Sequence, residues 1–164
     1  MKPSANLGSS SPLSGLSSAA SSEAVLRVFV YGTLKPGESN YRRYCEGKVL
    51  AAVPAIARGQ LFHLCLGYPG MSAGNEPVYG VVLSFGDRRI LEELDRLEDY
   101  DPQREPADNE YQRCQIEVTD MAGRSLGTVW TYQMSPAKIR LFQGIHLPEG
   151  VWASDRVSAA PPQL

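Results

Sequence analysis

Leu26-Arg-Val-Phe-Val-Tyr-Gly-Thr-Leu-Lys-Pro-Gly37 carries the first decision about the fold. Its opening six residues are β-branched, aromatic or aliphatic apart from Arg27, a composition that suits a strand, and Gly32 closes the run. The strand therefore feeds directly into a turn that holds Gly32 and Gly37. Glycine lets a backbone bend sharply and approach a ligand, and successive free N–H groups in such a turn can hold an anion or an oxyanion. The turn is not a Walker loop, because the GxxxxGK[ST] spacing is absent. Taken alone, a strand followed by Gly-Thr is more often a plain turn than a ligand-binding site.

Working outward, residues 59–66 and 78–84 repeat the strand composition, and residues 111–118 alternate with a period of two, as a half-buried strand does. A turn at 121–124 leads into a further strand at 126–132, which makes an antiparallel hairpin. One helix is firm: over residues 87–99 the apolar positions Ile90, Leu91, Leu94 and Leu97 mark one face of a 3.6-residue period, and Asp87 or Ser84 is placed to cap its start. Weaker helical patterns cover 39–47 and 136–142. Strands outnumber helices and do not alternate regularly with them, so the expectation is α+β or a closed mixed sheet rather than a doubly wound fold.

Composition bounds the function without choosing it. At 164 residues a single hydrophobic core is the default, and a formal net charge of −2 argues against a nucleic-acid binder. No apolar stretch is long enough to span a membrane. The odd, widely spaced cysteines Cys45, Cys65 and Cys114 form no disulfide framework and point to a reducing compartment, and two histidines cannot build a histidine-rich metal site. Residues 1–24 are Ser-rich and read as a disordered tail, 25–157 as the folded domain and 158–164 as a second loose end. The expected location is cytoplasmic, with a plastid transit peptide as the alternative reading of the Ser-rich start.

Glu98 is the residue that stands out. On the helical wheel it falls between Leu94 and Leu91, inside the apolar stripe, whereas Glu92, Glu93, Arg96 and Asp99 fall mostly elsewhere. A carboxylate on that face loses hydration and lies at the unfavourable end of the helix dipole, and both effects raise its pKa toward the range useful in proton transfer. If the helix ends before Glu98, the side chain reaches solvent instead. His63 and Cys65 share a strand face at i and i+2, but no third orienting group accompanies them, so packing is the better account. Tyr41-Arg-Arg-Tyr44 reads as a solvated helix face, Trp130 and Trp152 as core or pocket wall, and Glu117 as solvent-facing.

In order along the chain, Phe29-Val-Tyr-Gly-Thr-Leu-Lys35 with Gly37 and Asn40, Gly67-Tyr-Pro-Gly70, Val78-Tyr-Gly80, Leu94-Asp-Arg-Leu-Glu98 and Glu110-Tyr-Gln-Arg113 resemble the γ-glutamylcyclotransferase-like superfamily. The nearest branch is that of the γ-glutamylamine cyclotransferases and plant avirulence-induced proteins, and the resemblance runs over about residues 28–152. It implies a compact mixed β-barrel with a few flanking helices and a cavity beside the Tyr-Gly-Thr-Leu turn. It implies Glu98 as catalytic acid/base, Tyr31, Gly32, Thr33 and Leu34 as the substrate-binding loop, and Tyr111 as a pocket-lining tyrosine. The implied partner is a small γ-glutamyl amine or γ-glutamyl amino acid, cyclised to 5-oxoproline without cofactor or metal. The competing reading is a non-catalytic binding or interaction module of the same fold, which has no reason to keep a carboxylate on the apolar stripe. One departure is the acidic stretch 99–110, longer than the short link expected, which bears on the leaving group.

Overall fold

Both faces of β1 (Leu26–Val30) are covered, which accounts for a run apolar at every position but Arg27. Leu26, Val28 and Val30 join one hydrophobic cluster, while Phe29 and the following Tyr31 join the other. Arg27 escapes sideways, its guanidinium donating to the carbonyls of Leu126 at 2.6 Å and Thr128 at 3.3 Å. These features belong to a computed structural model that describes residues 25–157, so the tails expected at 1–24 and 158–164 lie outside the described residues.

After β1 come α1 (Tyr41–Tyr44), β2 (Val49–His63), β3 (Pro69–Phe85) and α2 (Ile90–Leu97). A 3-10 turn at Pro106–Asp108 is followed by β4 (Gln112–Thr119), β5 (Ser125–Gln133), α3 (Pro136–Leu141), β6 (Ile145–His146) and α4 (Ser154–Val157). The strands lie in the order β3-β1-β5-β4-β2-β6, and a further β2–β3 pairing closes the sheet on itself. Among the described strands only β1–β5 pairs in parallel. The fold is thus a mixed six-stranded sheet closed into a ring, with a few short helices, in agreement with the α+β expectation. Inside the ring sit Phe29, Ala57, Leu61, Met71, Val82, Val118 and Trp152. The second cluster, with Leu83, Phe85, Ile90, Leu94, Met134 and Ile139, joins the sheet to α2 and α3.

Two expectations are corrected. The segments at 59–66 and 78–84 are only parts of a long hairpin whose strands run to 15 and 17 residues. Its start is hard to read because residues 50–54 of β2 are exposed whatever their parity, and Pro54 sits among them. The register also jumps between Gly59 and Gln60, leaving residues 73–75 as extra chain on β3, which hides the alternation. The strand ends at His63 rather than 66: Leu64 and Tyr68 pair across a tight turn with Gly67 at φ +93°. His63 and exposed Cys65 therefore do not share a strand face.

The helix expected over 87–99 is α-helical only from Ile90 to Leu97. Asp87 still acts as a cap in chemical terms, accepting the Arg89 N–H at 2.9 Å, but the first turn closes with i to i+3 bonds and is 3-10-like. At the other end, Asp99 N–H bonds to Arg96 and Tyr100 N–H to the Asp95 carbonyl at 2.9 Å. This is a Schellman ending, with Asp99 at φ +50° in the position glycine usually fills.

Candidate active site

Where β1 leaves the ring, the two clusters part around a cavity of about 160 Å³. Its wall is built by the end of β1 and the following turn (Phe29 to Leu34), Asn40, Tyr68 and Pro69 at the start of β3, Leu97 and Glu98 at the end of α2, Glu110 and Tyr111 before β4, and Tyr132 on β5. The six residues singled out in the sequence, Tyr31, Gly32, Thr33, Leu34, Glu98 and Tyr111, all meet here.

Gly32 is needed because of what it touches. A Cβ there would stand 2.5 Å from Cγ of Pro69, on the opposite wall. The turn is then held by Lys35 N–H on the Gly32 carbonyl (3.0 Å), Asn40 N–H on the Thr33 carbonyl (2.9 Å) and the Asn40 amide on Thr33 Oγ1 (3.0 Å). Among the described residues, the Thr33 and Leu34 N–H groups make no backbone hydrogen bond. Just beyond, the Lys35 amine donates to the Trp152 carbonyl, and burial lowers its pKa.

The tyrosines are fixed by their hydroxyls. Tyr31 donates to the Tyr132 carbonyl at 2.6 Å and accepts from Met71 N–H, and Tyr111 donates to the Pro69 carbonyl at 2.6 Å. Burial is the first cause that pushes both phenols well up, with neighbouring groups, Glu98 among them, adding to it. Their rings are therefore walls that stay neutral.

Glu98 follows the last helical residue, as the C-cap of α2. The sequence left two outcomes, an apolar face or solvent, and the structure combines them: the helix ends at Leu97, yet the partly buried Glu98 lines the cavity. Burial, and then the charge of Glu110, push its carboxyl from 4.5 up to about 8.

One turn back, Asp95 anchors this helix end to the sheet. It accepts from Tyr132 Oη at 2.7 Å and from the Arg113 guanidinium at 2.6 Å. Arg113 in turn lies over the rings of Tyr100 (5.2 Å) and Trp130 (5.0 Å). The acidic stretch after the helix is tied rather than loose. Asn109, 2% exposed, takes the Asp101 N–H (3.1 Å) and Arg104 Nε (2.7 Å), and Arg104 also grips the Asp99 carboxylate at 2.9 Å. The next residue, Glu110, is thereby delivered into the cavity, where it accepts from Tyr68 Oη.

Sequence reasoning gave Glu110, Tyr68, Tyr132 and Asn40 no role in the site. Three of them stand in or beside the quoted motifs, so the motifs held a signal, but neither periodicity nor spacing marks them. Trp152 is core, 1% exposed, and Trp130 is half-buried beside Arg113; neither lines the cavity. Among the described residues no group of three His, Cys, Asp or Glu side chains is placed to hold a metal ion.

Residues 28–154 match the family model described as "Gamma-glutamyl cyclotransferase, AIG2-like". The chain belongs to this family. Among its relatives, a γ-L-glutamyl-butirosin B γ-glutamyl cyclotransferase of Niallia circulans is 36% identical over 107 residues, 64% of this chain and 64% of that protein. The match thus spans just under two thirds of that relative's length. An AIG2-like protein of Mus musculus shares the fold, with a TM-score of 0.57 at 21% identity over 84% of this chain and 91% of its own. Protein YtfP of Escherichia coli aligns with a TM-score of 0.51 and 28% identity over 80% of this chain and 99% of its own. The ring-shaped sheet is thus the fold of this γ-glutamyl cyclotransferase family.

Proposed function

We propose that the protein is a γ-glutamyl cyclotransferase that converts a γ-glutamyl amine or γ-glutamyl amino acid to 5-oxoproline and a free amine, with Glu98 as the acid/base. The observation that carries this reading is the Glu98 carboxyl, one of two carboxyl groups in the wall of a small cavity, held beside the Gly32–Leu34 turn with its pKa raised to about 8.

The substrate supplies its own nucleophile, so no activated Ser or Cys is required. Its α-ammonium is unreactive until it loses a proton, and the Glu98 carboxylate accepts that proton. The freed amine attacks the γ-carbonyl carbon, a five-membered ring closes, and the oxygen takes up negative charge. The Thr33 and Leu34 N–H groups are suited to hold that oxyanion or the substrate carboxylate. When the oxyanion collapses, the bond to the departing nitrogen breaks and Glu98 returns the proton to it. The ring nitrogen keeps one of its three hydrogens and gives up a second, so the amine leaves fully protonated. Because attack is intramolecular, holding the folded-over conformer contributes up to about 7–11 kcal/mol of the barrier. Tyr31, Tyr111 and the Gly32–Leu34 turn shape that conformer.

The test is 5-oxoproline release from a panel of γ-glutamyl amines, γ-glutamyl amino acids and ε-linked γ-glutamyl-lysine, with Glu98→Gln as control. Turnover by the wild type and loss of at least about a thousandfold in the folded variant is the expected result. Silence of the folded wild type across the panel would favour the binding module and end the proposal.

A further inference from the structure

The cavity wall holds two carboxylates, Glu98 and Glu110, and among the described residues no lysine, arginine or histidine. The cations nearest in sequence are engaged elsewhere: Lys35 on the Trp152 carbonyl, Arg104 on Asp99 and Asn109, and Arg113 on Asp95. The reaction proposed above needs one carboxyl group. Glu110 is the second, and it is not an accident of a floppy loop. Asn109 is locked by hydrogen bonds on either side, the Glu110 N–H bonds to the Asp99 carbonyl at 3.2 Å, and Tyr68 Oη donates to the Glu110 carboxylate. A fixed anion in a cavity whose described wall holds no balancing cation changes what charge the cavity will accept.

We propose that Glu110 is a specificity-determining residue: it selects γ-glutamyl amides whose leaving group carries a positive charge and turns away those whose leaving group carries a carboxylate. The inference rests on the cyclotransferase reading and deepens it. The substrate α-ammonium is the group Glu98 deprotonates, so the Glu110 charge is left to act on the rest of the molecule. A leaving group with a second ammonium is drawn in. An amino-acid leaving group brings a carboxylate next to Glu110 with nothing to neutralise it, which is the repulsive half of a specificity device.

Three amides of matched length test this: γ-glutamyl-1,4-diaminobutane (cationic tail), γ-glutamyl-n-pentylamine (neutral) and γ-glutamyl-5-aminopentanoate (anionic). The wild type should rank them in that order by kcat/KM for 5-oxoproline release, with about tenfold or more between cationic and neutral tails at low salt and less at high salt. Glu110→Gln, whose amide oxygen still accepts the Tyr68 hydroxyl, should flatten the series, and Glu110→Lys should invert it. Ratios between substrates are the proper readout, because any change in Glu98 basicity affects all three alike and cancels. Equal turnover of all three tails, or a ranking that Glu110→Gln leaves intact, overturns the role of Glu110 while the cyclotransferase reading stands. No 5-oxoproline from any of the three overturns both. Calorimetric binding of the same amides to Glu98→Gln gives a readout free of turnover, and equal affinities there also sink the proposal.

Discussion

A carboxyl group that keeps its proton to about pH 8 is a poor base at pH 6 and a good one at pH 8. In kcat/KM the free enzyme's ionisation is what shows, so the profile should have an acidic limb with an apparent pKa near 8. The Glu110 charge is the second cause of that shift, after burial, so Glu110→Gln should move the limb to lower pH. A wild-type limb in the ordinary carboxylate range would detach the rate from Glu98. Gly32 makes a steric prediction of the same scale. Gly32→Ala puts a methyl group into the Pro69 ring, so the wall must shift at a cost of about 1–3 kcal/mol, with a lower Tm and a higher KM in the 5-oxoproline assay. Glu98 was legible in the sequence because a carboxylate on an apolar stripe violates a local pattern. Glu110 was not, because it closes a run of acids that looks solvated until Asn109 is seen to be buried.

At the scale of elements, α2 is both the most legible piece and the one whose ends mattered. Its face was plain from Ile90, Leu91, Leu94 and Leu97, but not that Asp99 would close it in the left-handed region and swing Glu98 toward the cavity. The helix is pinned there by the Asp95–Arg113 pair, whose side chains are only 15% and 20% exposed. Removing one partner leaves the other charge half-buried and unpaired. Asp95→Ala should therefore cost about 3–5 kcal/mol, read from urea unfolding, whereas replacing both residues by apolar ones of similar volume should restore much of the loss. Equal costs for the single and double variants would show that the pair is not what holds the helix end. The β2–β3 hairpin illustrates the opposite case. It pairs over 14 registered residue pairs, yet exposure on both faces, Pro54 and the extra residues 73–75 erase the alternation by which a strand is recognised.

At the scale of the whole molecule, ring closure is a property of pairings, which one sequence does not display. That β1 lies parallel to β5, and that β3 is flanked by β1 and β2, follow from long-range contacts between runs that look alike locally. The closed ring also places two groups whose proton linkage pulls stability in opposite directions. Glu98 binds its proton more tightly folded than unfolded, so between about pH 4.5 and 8 its contribution to stability falls as pH rises. His63 is the reverse: burial lowers its pKa below 6.5, and its Nδ1 accepts the indole N–H of buried Trp152 at 3.1 Å, so its contribution is complete above pH 6.5 and is lost as pH falls below it. Asp87 and Asp120, held low by Arg89 and by the 120–124 turn, share that sign but act only below about pH 4. Glu98→Gln should therefore be more stable than wild type by roughly 3 kcal/mol at pH 7 and by little at pH 5, measured by urea unfolding at both values. In that variant the slope between pH 5 and 7 should reverse, because the lowered pKa of His63 then acts in that window without the opposing linkage of Glu98. A stability gain equal at pH 5 and pH 8 would mean that the Glu98 carboxyl does not hold its proton, and the chemical role assigned to it would fall with that result.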